Sequence, residues 1–254
     1  MALVTSTSGP KYAVYAGAVV AAPPFTVALW AYPLNTTEDH YIWALSNASL
    51  TRNHIIALYG NYTGFGTDNV TAVSDDGSGS AAYAVATGSF VANSWQHFCG
   101  VWAATNDRRI YLNGGSKGTE TTTKTPTVDR TLDGAVLAGG TAYGSSCRLA
   151  MRAIWNVALS DAEVASLAAG FHPLLVRPAS LVSFCPFGGF HGDVLTDFVG
   201  GYTPTAINSP PWAEQPRIIY PTGPLSVQSA SGGGSSSKPW LFARQRRIIG
   251  GGIV

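Results

Sequence analysis

The chain has 254 residues, 46% of them apolar and only 11% charged. That length accommodates one large domain with extensions, and the apolar share excludes a disordered acidic or basic polymer. Net charge is +1 but unevenly distributed. Residues 217–254 hold Arg217, Lys238, Arg244, Arg246 and Arg247 and no acid, leaving 10 basic against 14 acidic residues in the first 216. No run of about 18 apolar residues occurs, which argues against a membrane-spanning helix. The start, MALVTSTSGPKYAVYAG, lacks the basic and long apolar regions of a secretory leader. Three widely spaced cysteines, Cys99, Cys147 and Cys185, form no disulfide framework and no metal knuckle. A buried reduced thiol is expected for Cys99.

In chain order, Lys11–Val20 reads as a strand. Phe25–Tyr32 alternates so that Phe25, Val27, Leu29 and Ala31 share one face. Tyr41–Leu45 and His54–Tyr59 are further short strands. Residues 60–80 read as a loop in which Val70–Val73 is a brief strand. Ala81–Ala86 leads to Trp95–Trp102 and Arg109–Leu112, two halves of an aromatic, β-branched hairpin. Asn113-Gly114-Gly115 supplies the turn that follows. Six large apolar residues on this hairpin demand a second sheet to cover them. Thr119–Thr127, Ala135–Ala138, Cys147–Trp155, Leu181–Phe184 and Thr205–Ile207 continue the pattern. One helix is expected at Asp161–Ala169, because Ser160 and Glu163 make a capping box, Leu159 and Val164 a staple, and Gly170 a stop. The fold class expected is all-β: a two-sheet antiparallel sandwich with one short helix and an extended C-terminal arm.

After Trp212 the composition changes. Residues 1–212 are read as the sandwich and 213–230 as a Pro-rich extended segment. The Gly/Ser stretch 231–237 is a flexible linker spanning roughly 14 Å, and 238–254 is a basic, aromatic arm.

Three stretches carry a family resemblance: FTVALWAYP, WQHFCGVWAATNDRRIYLNG and CRLAMRAIWNVALSDAEVASL. In order and spacing, over about residues 11–185, they resemble the landmarks of laminin-G-like, concanavalin A-like lectin/glucanase domains. The resemblance implies a jelly roll. It does not imply one function, because the superfamily spans lectins, adhesion modules, hydrolases and viral surface proteins. Where that family often carries an acid in its closing segment this chain has Ala150, and where it often has Asp-Gly after the first hairpin strand this chain has Ala103-Ala104. Calcium takes six to eight oxygens, carboxylates among them, so no metal and no cofactor is expected. The Glu-x-Asp-x-x-Glu string of the related hydrolases is absent; the glutamates are Glu38, Glu120, Glu163 and Glu214. The histidines show no ligand spacing, and no G-x-S-x-G signature occurs. A non-enzymatic protein is expected.

Two binding surfaces are expected instead. Tyr59, Tyr62 and Phe65 flank a Gly-rich loop near Asp75 and Asp76, pairing ring faces for sugars with acceptors for hydroxyls. The same aromatics would also serve to pin the loop, and the aspartates to form a solvated turn. In the arm, Trp240, Phe242, Arg244, Arg246 and Arg247 are of the residue types that anchor interfaces, and Leu241, Ile248 and Ile249 add apolar surface. They are expected to dock on a partner subunit, with homo-oligomerisation; nucleic acid is the weaker reading. By family analogy the setting expected is a virion, as a structural or attachment protein of a phage or virus particle with a surface-facing body. The alternative is a free lectin-like module that binds a cell-surface glycan.

Overall fold

The computed structural model describes residues 2–7, 9, 11–48, 53–62, 66–138, 141–187, 195–208, 211–216 and 218, and of residues 61, 62, 137, 138, 141, 142 and 212 the backbone alone. All of them fall within one compact unit, Met1–Pro221. In chain order the strands are β1 (Ala2–Val4), β2 (Tyr12–Tyr15), β3 (Phe25–Pro33), β4 (His40–Ser46), β5 (Asn53–Tyr62), β6 (Gly66–Asp75), β7 (Ala82–Ser89), β8 (Gln96–Ala104) and β9 (Asp107–Leu112). There follow β10 (Gly115–Glu120), β11 (Arg130–Asp133), β12 (Ala135–Ala138), β13 (Thr141–Gly144) and β14 (Cys147–Trp155). Helix α1 (Asp161–Ala168) precedes β15 (Leu181–Cys185), β16 (Thr205–Ile207) and β17 (Trp212–Ala213).

These strands build two antiparallel sheets. One runs β10-β9-β8-β3-β14-β1-β17, with β15 added beside β14; the other runs β16-β2-β11-β4-β5-β6-β7. Alternation along each strand explains why they stack, since apolar side chains at every second position need a facing layer. Phe25, Val27 and Leu29 of β3 meet Trp43, Ile56, Val70 and Ala72 of the opposite sheet in one buried cluster. At its centre the rings of Phe25 and Trp102 stack at 4.8 Å, and Trp102 Nε1 donates to Ser74 Oγ at 2.9 Å.

The eight-stranded sheet is covered on its outer face as well. Val164 and Leu167 of α1 pack on Ala28, Val101 and Trp155. The helix starts where its capping box requires: Glu163 N–H donates to Ser160 Oγ and Ser160 N–H donates to Glu163 Oε2. The outer face of the seven-stranded sheet instead carries Ala44, Ile55, Ala57, Tyr59, Val73 and Leu132, flanked by Tyr12, Tyr41 and Tyr83. The β12–β13 hairpin contributes Val136 to this layer.

Several expectations are corrected. Residues 66–75 are not a loop with a brief strand. β6 has ten residues and pairs with β5 from Asn53↔Asp75 to Tyr62↔Gly66. Its Thr67, Asn69 and Thr71 obscure the pattern because they alternate with Val70 and Ala72 and so lie on the face opposite the inter-sheet core. The Thr119–Thr127 strand ends at Glu120, and residues 121–129 form no regular structure. Thr121 and Thr122 N–H groups turn to the Glu120 carboxylate instead of a neighbouring strand. The first strand stops at Tyr15 rather than Val20. Thr205–Ile207 is a strand, paired with β2. Cys99, Cys147 and Cys185 are all buried and free.

Candidate functional site

The outer face of the seven-stranded sheet opens, at one end, into a cleft of about 330 Å³ lined by Thr7, Asp39, Tyr41, Tyr143 and Gly144. Tyr41 projects from β4 and Tyr143 from β13, their ring centroids 6.3 Å apart and tilted by 63°. Tyr59, on the neighbouring strand β5, meets the Tyr41 ring edge to face at 6.3 Å. Tyr59 is buried, while half of Tyr143 is exposed. Two rings, Tyr41 and Tyr143, thus line the cleft, and the buried Tyr59 packs against the first of them.

The acidic side of the cleft is a built loop. Asn35 Oδ1 accepts from the N–H groups of Thr37 and Glu38 at 3.1 Å each, an Asx turn that sets residues 36–39. Gly60 accommodates this loop: a Cβ there would stand 2.3 Å from the Thr36 carbonyl oxygen. Gly144 does the same for the N-terminal segment, where a Cβ would lie 2.5 Å from the Ser6 carbonyl. Glu38 accepts from Ser146 Oγ at 2.9 Å and from Thr7 Oγ1 at 3.0 Å. Ser146, then Asn35 and Thr7, hold the Glu38 carboxyl below its ordinary pKa against partial burial. Asp39 is half-buried, and that burial raises its pKa, opposed by the Gly60 N–H that donates to it and by His40. His40 is itself pushed down by burial.

The structure separates the residues singled out from the sequence. Tyr59 is buried against Tyr41 and does not itself line the cleft. Tyr62 lies at the end of β5 as backbone only, and Phe65 lies outside the described residues. Asp75 and Asp76 are at the far end of the same hairpin. Tyr59 pairs with Asn69 and Asn53 with Asp75, so six residues, about 20 Å of strand, lie between. Asp76 is engaged there: it accepts from Ser78 and from Lys124 Nζ at 3.0 Å. Ser78, then Lys124, keep its carboxyl well below the usual range. The arm residues Trp240, Leu241, Phe242, Arg244, Arg246, Arg247, Ile248 and Ile249 lie outside the described residues.

Sequence reasoning missed all five lining residues, Thr7, Asp39, Tyr41, Tyr143 and Gly144. A signal for Tyr143 existed: AVLAGGTAYG has a Gly-Gly pair between two apolar runs, a hairpin signature. Asp39 stands two residues before Tyr41, but nothing local marks the pair as a site, because Thr7, Tyr143 and Gly144 join it only through the tertiary fold.

A calcium site of the kind the resemblance implies does not fit these residues. Ala150 is buried in the apolar layer beneath α1, and Ala103 and Ala104 offer no side-chain oxygen. Among the described residues no group of three or more His, Cys, Asp or Glu side chains is placed to hold a metal.

Two antiparallel sheets packed as a jelly roll define a concanavalin A-like, lectin-like fold. The chain belongs to the concanavalin A-like lectin/glucanases superfamily, whose laminin G family model matches residues 7–165. Among solved structures it is similar to a heptameric SAP-like pentraxin from Limulus polyphemus, at 18% identity and a TM-score of 0.53 over 66% of this chain and 80% of that one. A protein from Bacteroides ovatus with a proposed carbohydrate-binding role matches at 16% identity and 0.54, over 80% of this chain and 58% of that one. Tailspike protein 2 of the Escherichia coli O157:H7 bacteriophage CAB120 matches at 13% and 0.50, over 73% of this chain but 28% of the tailspike. These likenesses concern the fold. The search of curated proteins returns no match.

Proposed function

We propose that the sandwich is a non-enzymatic glycan-recognition module, and that it serves a larger assembly, a phage or virus particle, to which residues 238–254 attach it. The observation that carries the recognition half is the cleft. Its volume of about 330 Å³ falls within the range of small-ligand sites, at its lower end. A half-exposed ring, Tyr143, shares the lining with a carboxylate, Asp39. Aromatic faces pack on the apolar faces of sugar rings, and carboxylates accept from hydroxyls.

The non-enzymatic reading draws on the disposition of the acids. Hydrolysis with retention needs two carboxyl groups about 5–5.5 Å apart across the scissile bond. Glu38 is committed to Ser146 and Thr7. Asp133 and Asp197 are buried between the sheets, where no sugar reaches them.

The attachment half draws on the sequence of the arm, with Trp240, Leu241 and Phe242 followed by Arg244, Arg246 and Arg247 beyond a Gly/Ser linker. Such a segment fits a partner subunit, by strand addition or by anchoring in a groove. A glycan array probed with the full chain tests recognition. Binding that Tyr143→Ala abolishes is expected, and an array without a bound glycan overturns it. The mass of the native species with and without residues 231–254 tests attachment. Loss of an oligomer or of particle association on deletion is expected, and unchanged assembly overturns it.

A further inference from the structure

The charge of the cleft restricts the saccharides it accepts, an inference that rests on the glycan-recognition reading above. Of the five lining residues, Thr7, Asp39, Tyr41, Tyr143 and Gly144, only Asp39 carries a charge at neutral pH. Glu38 adds a second negative charge one hydrogen bond behind the lining, through Thr7 Oγ1 at 3.0 Å. His40, next to Asp39, is buried and offers no compensating positive charge. Lys11, bridged to Ser6 beside Thr7, does not line the cleft. The tyrosine ring faces add the negative side of their quadrupoles.

An acidic sugar placed here would set its carboxylate or sulfate against Asp39 and Glu38. The half-buried position of Asp39 lessens the screening that water and salt would provide. A neutral sugar offers what this site lacks, hydroxyl donors. Asp39 can accept from one or two of them while keeping its bond from Gly60 N–H. We propose that the cleft selects uncharged glycans and rejects acidic ones, with Asp39 as the specificity-determining residue.

The test uses the full chain on paired oligosaccharides that differ only in a terminal sialic acid or uronate. Wild type is expected to favour the neutral member by about tenfold or more. Asp39→Asn keeps an acceptor of the same shape and removes the charge. It is expected to narrow the preference to within about threefold, mainly by admitting the acidic member. Tyr143→Ala is expected to lose both members.

Wild type that binds the acidic member equally or better overturns the selectivity and leaves glycan recognition standing. An unchanged preference in Asp39→Asn overturns the role of Asp39. Failure to bind either member, or any other glycan on an array, overturns the recognition reading and this inference with it. The wild-type comparison decides the selectivity even if the Asn variant folds poorly.

Discussion

Arg152 is fully buried between the two sheets and stands between two acids. Met151 just before it has φ +54° within a bulge of β14, which turns the Arg152 side chain into the interior. Its Nε donates to Asp133 Oδ2 at 3.3 Å, and its Nη atoms donate to Ser183 and Tyr15. Ser183 donates onward to Asp197, whose Oδ1 also accepts the N–H groups of Phe184, Val199 and Gly200 at 2.8–3.0 Å. Burial, and then Asp197, raise the pKa of Asp133. Its Oδ1 has no partner among the described residues. A raised folded-state pKa stabilises the fold below the ordinary carboxylate range, and that contribution is lost as pH rises through the raised value. Asp133→Asn mimics the protonated acid, so its urea midpoint is expected to change less between acid and alkaline pH than that of wild type. Parallel midpoints in the two proteins would refute this. Arg152→Met leaves the acids without their cation and is expected to cost about 3–5 kcal/mol, read from the same titration at neutral pH.

At the scale of elements, α1 shows how local signals and tertiary contacts combine. Ser160 and Glu163 start the helix, and Arg177 pairs with Glu163 from a later loop. Tyr111 OH donates to Asp161 at 2.7 Å and Lys117 Nζ at 3.0 Å, tying the first turn to β9 and β10. Ser160→Ala removes the cap and is expected to cost about 1 kcal/mol, seen as a lower Tm in thermal denaturation. Trp102→Ala empties the stack with Phe25 and removes one of the two partners of Ser74 Oγ, leaving His54 Nδ1 at 2.8 Å, and is expected to cost about 3–5 kcal/mol, read as a lower urea midpoint. The helix was legible because a cap, a staple and a glycine stop lie within a dozen residues. The β3 and β8 strands were legible because their inward faces carry Phe25, Val27 and Leu29 and Phe98 and Trp102 at every second or fourth position. β6 was not, since Thr67, Asn69 and Thr71 read as loop until pairing with β5 occupies their backbone groups. Thr71 Oγ1 donates to the Ala57 carbonyl, an interaction that exists only once the hairpin has formed.

For the whole molecule, two histidines link stability to acid. His54 lies against Phe25 and Trp102 in the core and His97 against Trp30. Burial depresses both pKa values to about 3; for His54, Arg108 adds to the effect. A depressed histidine contributes stability above its unfolded pKa, about 6.5. That contribution is lost as pH falls toward about 3, the value burial imposes on both. Stability is expected to decline below pH 6.5 with a slope of up to about 1.4 kcal/mol per pH unit for each histidine. His54→Gln and His97→Gln should each remove one share of that slope in denaturant titrations. A flat profile across this range in wild type would contradict the burial of both rings.

Taken alone, the amino-acid sequence determined the class of fold, the helix and the composition of the arm. Alternation, caps and turn residues are local, and each carries its physical cause within a few positions. It did not determine where the cleft lies. Thr7, the Asp39–Tyr41 pair and the Tyr143–Gly144 pair come from three separate stretches, and Asp75 and Asp76 are sent to the opposite end of the β5–β6 hairpin from Tyr59. Strand register and the close approaches at Gly60 and Gly144 decide that arrangement. Those are long-range pairings, set by which faces must be buried together, and no short window of sequence contains them.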